Sequence, residues 1–541
     1  MKFVASGSLL ALALSASAAF AQSPSPAPTF SADRIKADVT FLADDLLEGR
    51  DAGTRGYDLA AHYVATRFAA LGLQPAVNGS WYQQVPFQQA RLGKAGSRLI
   101  INGKSFANGK DIIMGPSQFE LTQAVSAPVV FVGYGLHAPS RGIDDYAGLD
   151  VRGKVVAILS GFPKGMASDI GAHLASEKAK AAEAHGAVAT VNIMTPTALR
   201  VFPWARRAEY ATKPSLTWVG EDGRPYSPAP DIRAAASLDA TAARALFAGA
   251  PRSLDSIFAE SERQGGNPKG FALPAKVRVE RGSVSRRLTS PNVLAVLPGS
   301  DPQLRNEYVV VMGHLDHDGI DPTLKGDKIY NGALDNAAGI ATMLETARAM
   351  VTAPTRPKRS IMFAAVTAEE DGLLGSQYLA KHPVVGNGKV VGVVNLDMPI
   401  LLYDFTDMIA FGAEHSTLGP IVARATGRDG VTLSPDPAPE QSSFTRSDHY
   451  MFVKEGVPSV SLSTGEANGG KAAIEHFEAT NYHRVSDDLT QPINWQAGAK
   501  FARINYLIAR EIADAPESPR WYQGSFFGDV FAPNASKAAK P

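Results

Sequence analysis

Four apolar runs of this chain end abruptly in residues that can bind a metal or move a proton. Tyr308 to Met312 leads to His314 and Asp316, Ile361 to Val366 to the adjacent pair Glu369 and Glu370, and Val390 to Leu396 to Asp397, while Asp335 stands where a helical pattern begins. Imidazole and carboxylate ligands without sulfur suit zinc and do not exclude cobalt or manganese. No cysteine occurs, so neither a thiolate ligand nor a thiolate nucleophile is available. Side chains at i and i+2 of an extended segment point the same way, which lets Asp316 reach the His314 ring nitrogen that faces away from a metal. Of two adjacent glutamates, one can bind metal while its neighbour handles the proton of a metal-bound water. Two metals need a shared carboxylate, and Asp335, at a helix start where unpaired N–H groups favour an anion, is the candidate bridge. A lone His-x-Asp is more often a hydrogen-bonded pair, and a Glu pair is usually a solvated face. Together, between His314 and Asp397, these positions point to a metal hydrolase.

The elements that must carry these residues are legible in the periodicity. From Pro291 onward, "NVLAVLPG", "YVVVMG", "SIMFAAVT", "VVGVVNLD", "MIAFG" and "VPSVSLS" are strand candidates. A helix over Asn336 to Met350 carries Ile340, Met343, Leu344 and Ala347 on one face, and an amphipathic helix over Trp495 to Ala513 closes the region. This alternation predicts an α/β fold, a mostly parallel central sheet flanked by helices, with ligands outside the carboxyl ends of the strands. Two helical patterns, Asp33 to Asp44 and the stretch through Ala60, Val64 and Phe68, open the chain. From Val125, Val-rich strands ending in glycine suggest a small β-rich module, although composition alone also allows these strands to join the main sheet.

At 541 residues the chain is long enough for two domains or one domain with a large insertion. Lys plus Arg equals Asp plus Glu at 53 each, a balance that gives no reason to expect nucleic acid or an anionic membrane as partner. Residues 1–21 read as a secretory signal, with a short apolar stretch ending in Ala19-Phe20-Ala21, and 22–30 as a Pro/Ser linker. Nothing else is long and apolar enough to span a bilayer, so a periplasmic or secreted protein without membrane anchoring is expected.

The motifs "GHLDHDG", "GALDNAAGIATMLE", "TAEEDGLLGSQYL", "VVNLDM", "SDHYMF" and "YHRVSDDL" resemble, in order, those of the co-catalytic dizinc aminopeptidases, a family that includes glutamate carboxypeptidases, glutaminyl cyclases and metal-free receptor ectodomains. A second, looser similarity is to the protease-associated domain often inserted in that family. Together they imply an N-terminal part of the peptidase domain at 31–124, the insertion at 125–273, the catalytic domain at 274–515 and a tail at 516–541. The resemblance further implies two zinc ions per chain, one held by His314 and Asp397, the other by Glu370 and His483, with Asp335 bridging and a cis peptide after it. Glu369 falls at the general base and Asp316 at the partner of His314. The implied activity is removal of N-terminal residues from peptides by a metal-bridging hydroxide; a carboxypeptidase or a metal-free binding ectodomain are the alternatives. His317 and His449 are assigned hydrogen-bonding or packing roles, and His476 is the rival of His483. Arg484 and Val485 stand where many relatives have Thr-Pro. Met398, Phe444, Tyr450 and Phe452 are candidates for an apolar pocket taking the first substrate side chain. The sequence does not set the oligomeric state.

Overall fold

The computed structural model describes residues 27–211 and 213–541; the expected signal at 1–21 and the first part of the linker lie outside them. Runs of apolar residues without polar alternation form strands buried on both faces, as a parallel sheet requires. Ser360–Val366 is buried at every position, and Glu307–His314 runs parallel to it and to Lys389–Leu396. Ser459–Thr464 extends the parallel set, and Asp407–Phe411 joins its outer side antiparallel. Alternate residues of each strand feed opposite layers. Val309, Val311 and Phe363 pack under the helices Ala32–Leu42, Ala338–Thr352 and Trp495–Asp514, while Val310, Met312 and Met362 pack with Leu379 and Phe452 on the other face. The mostly parallel, helix-flanked α/β sheet is therefore as the periodicity predicts.

The β-rich segment also forms, but its strands do not make a separate sheet. Thr122–Phe131 pairs with Val155–Leu159, followed by Ala189–Ile193 and Ala234–Leu238, all parallel. They surround a second core that includes Leu99, Phe131, Leu159, Ile193 and Leu238. Two long strands, Tyr82–Ile101 and Phe271–Leu297, pair antiparallel from Tyr82 opposite Val293 to Ile101 opposite Val277 and run through both units. One hydrogen-bonded sheet results. The second unit thus draws Leu99 and Ile101 from before residue 125, and the boundary expected at 273/274 falls inside a strand. The reason is physical: a two-stranded ribbon with an alternating pattern has no break where one core gives way to the next. Trp521, Phe526 and Phe527 are buried in the second core, so the expected tail at 516–541 is packed structure.

Candidate metal centre

The sheet delivers the predicted residues to one edge. His314 is the last residue of its strand; Asp397 directly follows the strand ending at Leu396, and Glu369 and Glu370 lie three and four residues past the one ending at Val366. The loops that turn them inward are crowded. Gly332, at φ +57°, has no room for a side chain: a Cβ would lie 2.1 Å from the Asp335 carbonyl oxygen and 2.6 Å from the His317 ring. Ala368, Met398 and His483 adopt left-handed φ values of 54°, 48° and 51° without being glycine. Each is a ligand candidate or adjoins one of the charged residues, and such conformations cost of order 1–3 kcal/mol and persist where the surroundings over-determine them. The Asp335–Asn336 peptide is cis. The Asn336 amide donates to the carbonyls of His314 and Leu396 at 3.3 and 3.0 Å and accepts from the Met398 N–H at 3.2 Å, tying three ligand-bearing segments together.

Asp335 lies between two groups, one on each carboxylate oxygen. Its Oδ1 is 3.2 Å from His314 Nε2, which is 3.1 Å from Asp397 Oδ1. Its Oδ2 is 3.3 Å from His483 Nε2, which is 3.2 Å from Glu370 Oε2. These separations are close to those of ligand atoms sharing a cation, since bonds of about 2.0–2.2 Å at tetrahedral angles place donors roughly 3.3–3.6 Å apart. The ion-pair partners of Asp335, Glu370 and Asp397 among the described residues are histidines. Three carboxylates and two imidazoles so placed, without Lys or Arg neutralising them directly, make a donor set that divalent cations fit.

Comparison with known proteins agrees. Residues 292–509 match peptidase family M28. The chain is accordingly an enzyme, a peptidase. Over 396 residues it is 26% identical to a protein described as a probable zinc metalloprotease of Pyrenophora teres, covering 62% of this chain and 79% of that one. Over 243 residues it is 29% identical to a probable leucine aminopeptidase 2 of Aspergillus oryzae, covering 39% and 44%. An aminopeptidase from Aneurinibacillus sp. strain AM-1 has a similar fold, with a TM-score of 0.52, 21% identity, and coverage of 90% of this chain and 95% of that chain.

Around this centre the charges act strongly on one another. Burial alone would raise Asp335, but hydrogen bonds from His314 and His483 hold it well below the ordinary carboxylate range. Burial would lower His314, yet the charges of Asp397 and Glu369 lift it well above the usual imidazole value, and His483 is held at about 9, chiefly by Glu370 and Asp335 acting against burial. A field that holds protons this firmly on buried imidazoles is one that a metal cation, displacing those protons, also answers. Glu369 is raised well above the carboxylate range by burial, then by Asp397, Glu370 and Asp448, against His314.

Supporting residues differ in part from expectation. The ring nitrogen of His314 that faces away from Asp397, Nδ1, meets the backbone carbonyl of Asp316 at 3.2 Å. The Asp316 carboxylate does not orient the ring; it accepts the N–H groups of Glu369 and Glu370, each at 3.2 Å. The regular strand ends at His314, so alternation no longer fixes what Asp316 faces, and its carboxylate sits under the glutamate loop. His317 has the expected hydrogen-bonding role, with Nδ1 2.6 Å from Glu370 Oε1. Changing His317 to Ala should weaken metal binding at the centre by about 10- to 100-fold, as loss of a ligand's outer partner typically does. Competition with a chelator measures this, and an affinity equal to the native one would show that Glu370 needs no such support.

Sequence reasoning did not single out Asp487, Ser447 or Arg50. Asp487 accepts the N–H groups of Leu334 and Asp335 at 3.0 Å each; Ser447 donates to Asp397 Oδ2 at 2.5 Å. Both lie in quoted motifs, "YHRVSDDL" and "SDHYMF", which was the available signal. The buried Arg50 guanidinium donates to the carbonyls of Leu42, Leu315, Asn331 and Gly332, joining the N-terminal helix to the loops after His314 and before Asp335. His476 is exposed on the helix Gly470–Thr480 and is not brought to the centre, whereas His449 is fully buried, in keeping with a packing role. Phe444, Tyr450 and Phe452, each 2% exposed, are core: the first two pack with Phe527, and Phe452 lies beneath the sheet. They present no surface to a substrate, and of the four pocket candidates Met398 alone stays partly accessible beside Asp397.

Proposed function

We propose that this chain is an exported aminopeptidase that holds two zinc ions and hydrolyses the first peptide bond of peptides with a free N-terminus. The observation that carries the reading is Asp335, whose two carboxylate oxygens each face a separate His–carboxylate pair. His314 and Asp397 would hold one ion, Glu370 and His483 the other, and Asp335 both. When bound, the ions supply Lewis-acid polarisation of the scissile carbonyl and acidify water. Glu369, on the loop held by Asp316, takes the proton of the attacking water and returns it to the leaving amine. Asn336 and Asp487 keep the bridging loop in place, and Ser447 holds Asp397.

Charge favours the amino end of a substrate. Besides the ligands, Asp51, Asp318 and Asp371 crowd the centre: Asp371 is pushed well above the carboxylate range by burial and by its acidic neighbours, and Asp51 is pushed up to about 6 by burial and Asp318. Lys213 pairs with Asp318 at 2.6 Å, and a protonated Asp371 carries no charge, so Asp51 is the negative group left beyond the ligand set at neutral pH. Such a field attracts an ammonium group and repels a terminal carboxylate. The N-terminal stretch of the sequence supports export, and no helix among the described residues is long and apolar enough to cross a membrane. Peptides with free, N-acetylated and C-amidated ends, assayed side by side, test the proposal. Cleavage of free and C-amidated peptides with loss of activity on acetylation is expected; release of residues from the carboxyl end alone would overturn it.

A further inference from the structure

The inserted unit carries a separate cluster of metal-binding side chains, more than 100 residues before His314 in sequence. His137 and Asp144 are directly opposite each other in a short antiparallel pair, His137–Ala138 with Ile143–Asp144, so their side chains share a face. His185 follows the helix Lys178–Ala184 as its C-terminal cap, and its ring sits 4.7 Å from that of His137. One ligand atom from each of the three falls within 4.8 Å of the others. We propose that His137, Asp144 and His185 form a further binding site for a divalent transition-metal ion of the zinc class.

Three features of the cluster favour a metal over a simple hydrogen-bonded pair. His185 Nδ1 lies 2.8 Å from the carbonyl oxygen of Ala181. A carbonyl can only accept, so Nδ1 carries the proton and Nε2 keeps its lone pair, the arrangement by which proteins orient a ligating histidine. Tyr146 stacks on the His185 ring at 4.2 Å and 10°, fixing its plane, and its own N–H donates to Asp144 Oδ1 at 3.0 Å, fixing the carboxylate. Finally, His137 Nδ1 and Asp144 Oδ1 are 3.3 Å apart. That is long for a charge-assisted hydrogen bond, typically about 2.7–2.9 Å, and equals the 3.1–3.3 Å separations of the donor pairs around Asp335. His137 and Asp144 remain about one-third exposed, at 31% and 35%, which leaves room for water to complete a two-histidine, one-carboxylate set. The ion would clasp the strand pair to the helix end.

The test compares the metal content of the native chain with that of His185→Ala and Asp144→Asn, each dialysed against the same low-micromolar free zinc and analysed for zinc per chain. The native chain is expected to hold one ion more than either variant, whatever number the peptidase centre retains, and peptidase turnover is expected to be unchanged because neither residue belongs to that centre. Asp144→Asn keeps shape and hydrogen bonding to Tyr146, so it decides the matter should the alanine variant not fold. Equal zinc content in native and variant chains would overturn the site and leave His137 and Asp144 as a hydrogen-bonded pair.

Discussion

Replacing Glu369 by Gln is expected to lower turnover by a factor of about 10² to 10⁴ while leaving the metal content of the chain unchanged. Glu369 makes none of the donor-pair contacts that surround Asp335; those belong to His314, Asp397, Glu370 and His483. Its loop is set independently of its side chain, by its own N–H and that of Glu370 donating to Asp316. Glutamine keeps the shape and cannot take a proton from water. Stability gives a second, independent sign. The carboxyl is raised well above its ordinary range by burial and by Asp397, Glu370 and Asp448. A carboxyl whose pKa is raised on folding is ionised in the unfolded chain at neutral pH and must take up a proton to fold, which opposes folding above its unfolded pKa, so its neutral replacement should melt no lower than the native chain when both are stripped of metal. Elemental analysis, kcat and a melting curve on one preparation suffice; loss of zinc, or turnover close to native, would remove Glu369 from the role of base.

Replacing Asp335 by Ala should empty both halves of the centre, whereas replacing His483 by Ala should empty one. The prediction follows from the two oxygens of Asp335 serving different pairs, while His483 stands with Glu370 on the Oδ2 side. The effect on activity should be near-complete in the Asp335 variant. Because Asp335 is buried and its N–H, not its carboxylate, is what Asp487 holds, the loop has its backbone anchor in the variant as well. Zinc titration followed by calorimetry distinguishes the cases, and two unaltered binding events in the Asp335 variant would mean that the carboxylate bridges nothing.

Much of this centre was legible before any coordinates. Apolar runs that end in charge are informative in a parallel sheet because the ligand edge is the carboxyl edge of several strands at once, so positions far apart in sequence must meet there. His314, Asp397 and the glutamate pair are of this kind, and Asp335 followed from the chemical need for a shared carboxylate. What was not legible depended on where the chain bends. Asp316 could be placed near His314 by alternation, but it lies beyond the end of the strand, where its carboxylate faces the glutamate loop and its carbonyl faces the ring. Phe444, Tyr450 and Phe452 flank "SDH" in sequence, yet the apolar segment around Phe526 and Phe527 returns from the chain end to cover the first two. Arg50 gave no signal because its partners are backbone carbonyls, which every residue has.

The ribbon formed by Tyr82–Ile101 and Phe271–Leu297 sets how the molecule can be taken apart. A module joined by two flexible linkers can be cut out, exchanged with that of a relative, or swung aside. Here the junction is a ladder of backbone hydrogen bonds, and a cut at either nominal boundary leaves half a strand pair with exposed edges that invite association between chains. Deleting the segment between 125 and 273 would unpair Phe271–Leu297 along part of its length and strip the second core of most of its side chains, thinning the cover over Leu99 and Ile101. The peptidase part is therefore best regarded as inseparable from what is inserted in it. A graft of new specificity onto this scaffold should keep the whole ribbon and replace only the loops beyond it.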